Sequence, residues 1–576
     1  MIDTRRARLS LALALLVASV LACVGRDAPR PVEAAAAAQA APVVISVVGT
    51  NDLHGRVERV AALAGHVENL RAVRRADGGA VLLVDAGDLF QGTLESNLGE
   101  GAAVIEAYNA VGYTAAAVGN HEFDFGPEGE AVTASVGEDP RGALKARARQ
   151  AGFPLLAANV IDTGTGRPVA WDNVHPSVLV DAGPVQAGII GVTTEDTPRT
   201  TLSANFRGLA VRSLAETIEA EASRLRNRGA AVVIVLAHAG GRCDACHDPH
   251  DLSSCRPDEE IFEVARALPR GIVDVIVAGH THASVAHEVN GIAVIESFAL
   301  GRAFGRVDVV VDPVERRAAE TRIHPPRELC AAPDAPIREC APGPYEGRPV
   351  RVDEGVLAGI RPALERAEAY RHRPLGVELV GSVRRAYTTE SALGNLFADL
   401  MRHARPGVDV AITNGGGLRA DLPGGPLTYG SLFEAMPFDN RFAIVRMTGR
   451  DLERVLAANL SKGKGILLVS GVRAVAACQG ATLEVTLHRE GGGEILDDER
   501  LEIATSDFLA AGGDGAFGVL DLAPEAVQLE DLLIREAMAA QLSKRGGRID
   551  PSDPALFDED KPRVHYPGER PVRCGG

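Results

Sequence analysis

The sequence predicts an α/β protein of two domains joined by a helix. Three observations carry this. Short apolar runs of strand length alternate with stretches whose apolar positions recur at helical spacing, such as 214–228 and 257–268, and that alternation builds layered α/β architectures. Five of the strand-like runs end in loops that combine glycine with Asp, Asn or His. At 576 residues the chain is too long for one ordinary core, and 46% of it is hydrophobic, enough to fill several.

Residues 1–23 read as a targeting segment. Arg5, Arg6 and Arg8 precede an apolar run over 11–21 that is too short to span a bilayer. It ends in Val20-Leu21-Ala22-Cys23, which resembles a bacterial lipobox with Cys23 as the lipidated first residue of the mature chain. The alternative is an ordinary cleaved leader in which Cys23 is incidental. Residues 24–42, rich in Ala and Pro, read as a flexible tether. The expectation is an exported protein, periplasmic or held at the outer membrane, with membrane contact only through an N-terminal lipid anchor.

Residues 43–345 read as the first domain. The run 43–48 feeds Asn51-Asp52-Leu53-His54-Gly55, and 81–84 feeds Asp85-Ala86-Gly87-Asp88. The run 115–118 feeds Gly119-Asn120-His121-Glu122-Phe123-Asp124, 232–236 feeds His238-Ala239-Gly240, and 273–277 feeds Gly279-His280-Thr281-His282. If the five runs lie side by side in one sheet, their loops meet at one edge, where open α/β sheets place ligands. The assembled candidates are Asp52, His54, Asp88, Asn120, His238, His280 and His282. Seven are too many for one tetrahedral ion and suit two divalent ions, with Asp88 as the bridge. Imidazole mixed with carboxylate favours zinc, manganese, iron or cobalt, and a metal pair handles displacement at phosphorus. Any one of these short motifs arises by chance; five in matching context do not. His121 and Asp124 read as a pair, the carboxylate orienting the imidazole and favouring its protonated form.

Residues 346–374 read as a linker, helical over 352–370, and 375–576 as a second domain. There a run at 408–412 feeds Asn414-Gly415-Gly416-Gly417-Leu418-Arg419. Three glycines let backbone N–H groups approach an anion, and Arg419 offers a fork for phosphate or carboxylate.

The ordered series Asp52-x-His54, Gly87-Asp88, Gly119-Asn120-His121-Glu122, His238 and Gly279-His280-x-His282 resembles the calcineurin-like metallophosphoesterases. The C-terminal half narrows the resemblance to the bacterial 5′-nucleotidase/UDP-sugar hydrolase family. It implies a four-layer metallophosphoesterase sandwich followed by a smaller α/β substrate-binding domain. It implies that Asp52, His54, Asp88 and His282 hold one ion and Asp88, Asn120, His238 and His280 the other, and that His121 and Asp124 form a catalytic dyad. Asn414 and Arg419 would contact the substrate phosphate, Phe438 and Phe508 sandwich a nucleobase, and Asp514 accept from ribose. The implied substrate is a nucleoside 5′-monophosphate or a related small nucleotide. Alternatives within this architecture are a 2′,3′-cyclic phosphodiesterase/3′-nucleotidase, a UDP-sugar hydrolase and a thiosulfohydrolase relative. A surface protein that has lost catalysis predicts eroded metal ligands, and none is eroded. Two positions depart from the family pattern: Tyr387 stands where an arginine is common, and Asp439 stands where a small residue is usual beside the stacking phenylalanine.

A net charge of −17 argues against a nucleic-acid polymer as partner, since binding a phosphate backbone needs a basic surface. Nothing in the sequence specifies an oligomeric state. Export permits disulfides. Apart from Cys23 there are seven cysteines, Cys243, Cys246, Cys255, Cys330, Cys340, Cys478 and Cys574, so at least one is left over. Cys243 with Cys255 and Cys330 with Cys340 are the expected pairs; a zinc knuckle around Cys243, Cys246 and His247 is the competing reading.

Overall fold

Alternate residues of the early strands serve two different cores. In the strand Val43–Thr50, Ile45 and Val47 face one core and Val48 the other; Leu82 and Val84 part from Leu83 in the strand Ala80–Asp85, and Ala115 and Ala117 from Ala116 in Ala115–Ala117. The two-residue period of a strand forces this, and a strand apolar on both faces needs two covers. One cover is a helical layer that includes Arg59–Asp77 and Ala102–Val111. The other is a second sheet, whose Val232, Ile234, Leu236 and Val277 enter the same central core while Val233, Val235 and Ile276 turn to the helices Leu214–Asn227 and Glu260–Ala267. The layers run helix, sheet, sheet, helix. A computed structural model describes residues 42–129, 134, 137–312, 314–332, 336–520 and 522–575. The expected leader, the lipobox and all of the tether but Pro42 lie outside the described residues.

The five loop-bearing strands divide between the two sheets of the expected four-layer sandwich instead of lying side by side in one. Val43–Thr50, Ala80–Asp85 and Ala115–Ala117 pair in parallel within a seven-stranded sheet. Val232–His238 and Val275–Ala278 pair in parallel within a six-stranded one. The physical reason is that two-sided apolar strands are satisfied by stacking sheets as well as by widening one. Close approach of the sheets is permitted at Gly49, where a Cβ would lie 2.5 Å from Val277 Cγ1.

The helix Glu354–Arg371, capped by the Asp353 carboxylate on Val356 N at 3.0 Å, joins the halves. Its Val356, Ile360 and Ala363 belong to the first core and its Ala367 to the next. In the second domain Val410–Asn414 lies inside a five-stranded sheet. The helices Ala392–Ala404 and Gly449–Leu460 cover its opposite faces, because Ala411 and its neighbours Val410 and Ile412 again point to different cores.

Cys243–Cys255 and Cys330–Cys340 are disulfides as expected, and Cys478–Cys574 is a third. Cys246 is the free cysteine among the described residues. The third bridge spans 96 residues, a loop length for which chain entropy gives about 4.7 kcal/mol.

A buried ionic cluster anchors the end of the first domain. Asp308 accepts from Ser46 Oγ at 2.5 Å, Arg306 Nε at 2.9 Å and Nη2 at 2.6 Å, and His324 Nε2 at 3.0 Å. Burial pushes its carboxyl upward, but the bonds from His324, Arg306 and Ser46 hold it well below its ordinary value of 3.8. A carboxylate depressed in the folded state contributes stability above its unfolded pKa and loses it as pH falls through the folded one. Asp308→Asn is therefore expected to lower stability by about 3 kcal/mol at neutral pH. The deficit should shrink below about pH 4, as read from denaturant melts of variant and wild type across pH.

Candidate metal centre and substrate cleft

The loop residues adopt backbone conformations that side chains rarely take. Asp52 (φ 49°), His54 (φ 48°), Asp88 (φ 58°), His280 (φ 78°) and His282 (φ 56°) all lie in the left-handed region. Such strain costs about 1–3 kcal/mol per residue and persists where the surroundings over-determine it, typically at functional sites. At Gly119 a Cβ would lie 2.3 Å from Asp88 Oδ1, so only glycine lets that loop close over Asp88.

The hydrogen bonds fix which ring nitrogens carry protons. His54 Nδ1 lies 2.8 Å from the Gln91 carbonyl oxygen, and His238 Nδ1 lies 3.0 Å from that of Ala86. A carbonyl only accepts, so each Nδ1 donates, and in the neutral ring each Nε2 is left with its lone pair for a cation. Those Nε2 atoms face two oxygens and two further imidazoles. His54 Nε2 is 3.0 Å from His282 Nε2. His238 Nε2 is 2.9 Å from Asn120 Oδ1, 3.1 Å from Asp88 Oδ2 and 3.2 Å from His280 Nδ1. Asn120 is held in that orientation because its Nδ2 donates to the Thr200 carbonyl at 3.0 Å.

Groups converging at such distances need a proton or a cation between them, and the donor set fits divalent cations. Two groups, Asp52/His54/His282 and Asp88/His238/His280, each have ligand atoms within 4.8 Å of one another. Asp88 Oδ2 lies between them, 3.1 Å from His238 Nε2 and 3.8 Å from His54 Nε2. Without a cation the protons are shared unevenly. Burial opposes charge on His238, yet Asp88 raises it to about 10, whereas burial holds His54 at about 3 and His280 at about 4. Asp52, Asp88, Asn120 and His238 are essentially inaccessible, while His282 is exposed at the mouth.

His121 sits beside this cluster. Its Nδ1 donates to Asp124 Oδ2 at 2.5 Å, and Asp124 Oδ1 accepts from Thr201 Oγ1 at 2.8 Å and Leu202 N at 3.2 Å. Burial disfavours the imidazolium, but Asp124 and then Asp88 overcome it and raise His121 to about 9. Its Nε2 lies 4.0 Å from Asp88 Oδ2.

Both domains line one cleft of about 340 Å³. The first contributes His54, Asp88, Asn120, His121, Asp124, His280 and His282; the second contributes Asn414, Arg419, Phe438, Phe508 and Asp514, with Tyr387 on its wall. Asp52 and His238 lie beneath that surface. Asn414 Nδ2 donates to Asp514 Oδ2 at 2.6 Å. The Phe438 ring is 6.1 Å from the His121 ring and 5.0 Å from the Arg419 guanidinium carbon. Gln91 Nε2 donates across the domains to the Pro437 carbonyl at 3.0 Å, and Arg371 of the joining helix pairs with Glu95.

Asp439, the departure flagged in the sequence, is the partner of Arg535. That buried cation also donates to the carbonyls of Met436 at 3.2 Å and Phe438 at 3.0 Å, so the pair holds the loop carrying Phe438. Sequence reasoning missed Arg535, which lies 96 residues from Asp439. It also missed Glu122 as a brace: Oε2 accepts from Asp88 N at 2.9 Å and Gly119 N at 2.6 Å, and Oε1 from Leu89 N at 2.7 Å. The signal was present, since Glu122 stands inside the quoted motif but is not among the assigned ligands.

Fold and site together define a two-domain metal-dependent phosphoesterase. Residues 45–284 match the model of the calcineurin-like phosphoesterases, and residues 372–521 match that of the 5′-nucleotidase C-terminal domain. The chain thus carries a calcineurin-like phosphoesterase domain followed by a 5′-nucleotidase C-terminal domain. It is 27% identical over 549 residues to the trifunctional nucleotide phosphoesterase protein YfkN of Bacillus subtilis (strain 168), covering 88% of this chain and 34% of that one. It is 27% identical over 510 residues to the protein UshA of Yersinia enterocolitica, covering 82% and 86%. The chain thus spans about a third of the length of the first relative and most of the second. The crystal structure of a 5′-nucleotidase precursor from Thermus thermophilus superposes with a TM-score of 0.65 at 24% identity, covering 91% of this chain and all of that one. Among the described residues no helix is long and apolar enough to cross a membrane.

Proposed function

We propose that this chain releases phosphate from nucleoside 5′-monophosphates or related small nucleotides, with two divalent cations, zinc, manganese or similar, held by Asp52, His54, Asp88, Asn120, His238, His280 and His282. The observation that carries the reading is the single cleft in which converging acceptors from one domain face an arginine and two phenylalanines from the other. When bound, such a metal pair supplies Lewis acidity toward a phosphoryl oxygen and lowers the pKa of water. His121, oriented by Asp124, holds a proton near the ester oxygen that must leave. Arg419 and Asn414 orient the phosphate, Phe438 and Phe508 stack the base, and Asp514 takes the ribose. Tyr387 in place of a cation favours a single phosphate over an extended chain. The division proposed is 43–345 for chemistry, 346–374 as linker and 375–576 for substrate.

Export with a lipid anchor at Cys23 belongs to the same proposal. Three disulfides in one chain support it, since they persist in oxidising compartments.

The test is a substrate panel on the chain from residue 43 onward, reconstituted with manganese or zinc: AMP, 2′,3′-cyclic AMP and UDP-glucose. Phosphate should appear fastest from AMP and stop on chelation. Failure to release phosphate from any of the three in either metal would overturn the proposal. Arg419→Ala should raise KM for AMP about 10- to 100-fold, the worth of a charged hydrogen bond, and lower kcat less. An unchanged KM would remove Arg419 from the phosphate site.

A further inference from the structure

We propose that Glu296 is a positioning residue of the metal centre, the brace that holds the His238 loop against the Gly279–His282 loop and so sets the spacing of the cations. The proposal rests on the metal reading above and goes beyond it to a residue outside every motif named so far. Glu296 is the fifth residue of the strand Ile292–Ser297, behind Ile292, Ala293, Val294 and Ile295, and it is wholly buried. A carboxyl group in such an apolar strand is costly unless its oxygens are satisfied.

They are satisfied by the two loops. Oε2 accepts from Gly241 N at 3.1 Å, three residues past His238. Oε1 accepts from Thr281 Oγ1 at 2.7 Å, between His280 and His282, and from Ala283 N at 3.3 Å. Thr281 Oγ1 also lies 3.0 Å from the Gly241 carbonyl, so carboxyl, hydroxyl and peptide form one closed set of contacts. The fit is tight: a Cβ at Gly240 would stand 2.3 Å from Gly279 O and 2.7 Å from Glu296 Oε2. His280 and His282 flank Thr281 in left-handed conformations, which persist only when tied from outside.

The adjacent residue extends the brace to the other sheet. Ser297 N donates to Asn51 Oδ1 at 3.0 Å, and Asn51 Nδ2 donates to Asp52 Oδ2 at 2.6 Å and to the Phe298 carbonyl at 2.6 Å. The strand end thereby touches the loops of Asp52, His238, His280 and His282, which belong to both ligand groups. Glu122 braces the remaining two loops, those of Asp88 and Asn120. One buried glutamate at the end of a strand and one in the turn His121–Phe123 thus divide the ligand loops between them.

The test uses manganese alone as the probe, read by titration calorimetry and by the electron paramagnetic resonance signature of two coupled Mn²⁺ ions. Glu296→Gln keeps the volume but sets an amide N–H₂ against a donor, so one arm of the brace is lost. It should weaken manganese binding about 10- to 100-fold and diminish the coupled signal. Thr281→Val, a smaller change on the loop side, should act in the same direction. The double variant should be no worse than Glu296→Gln, because both single changes open the same brace. A wild-type isotherm and coupled signal in Glu296→Gln would overturn the assignment, and so would a double variant whose loss is the product of the singles. Neither readout needs a substrate. A wild-type chain that binds coupled manganese yet releases no phosphate from nucleotides would therefore overturn the proposed function and leave this brace standing.

Discussion

Asp88→Asn is expected to remove hydrolysis while leaving the metal-free protein as stable as the wild type or more so. The asparagine keeps Oδ1, which accepts from His121 N at 2.9 Å. It replaces Oδ2, the oxygen between the two groups of imidazoles, with an N–H₂ donor, and without the carboxylate His238 is neutral, so its Nε2 accepts from that amide across the same 3.1 Å. The amide thus pairs with a neutral imidazole, whereas the carboxylate needs either metal or the protonated ring. Loss of the bridging charge should lower kcat/KM by about 10³-fold or more, corresponding to roughly 4 kcal/mol of transition-state stabilisation. Thermal melts provide the second reading. Adding manganese should raise the melting temperature of the wild type by mass action and leave that of the variant nearly unchanged. An active variant, or one stabilised by manganese as strongly as the wild type, would mean that Asp88 does not bridge.

His121→Ala is expected to separate substrates by their leaving groups. The dyad is built to hold a proton: Asp124 takes Nδ1–H at 2.5 Å, Thr201 and Leu202 fix Asp124, and Nε2 faces the cleft. A nucleoside 5′-oxygen is a poor leaving group and needs that proton, so kcat for AMP should fall about 10²- to 10⁴-fold. Nitrophenolate leaves as an anion, so p-nitrophenyl phosphate should lose less than about tenfold by the same reasoning. Asp124→Asn should show the same pattern more weakly. Equal losses on both substrates would make His121 a residue that shapes the loop rather than an acid.

The ligand loops were readable because each is local. A strand, a glycine and a metal-binding side chain fall within about six residues, and the joining helix shows in the spacing over 352–370. The same locality exposed Asn414–Arg419. Locality by itself left one sheet or two open, because a fully apolar strand reads the same whether a helix or another sheet covers its second face, and only the family resemblance pointed to the sandwich.

The braces were hidden for the opposite reason. Arg535 explains Asp439 from 96 positions away, and Glu296 reaches Gly241 from 55. Each appears in the sequence only as a charge among apolar neighbours, with nothing to say what meets it.

By itself, then, the order of residues determined which side chains are able to bind metal, phosphate and base, since those capacities belong to the side chains and to their immediate turns. Only the tertiary structure decided that two sheets rather than one bring the ligands together, that their lone pairs converge, and which buried carboxylates hold the loops. Those outcomes depend on contacts between segments far apart in the chain, made only once both cores have packed.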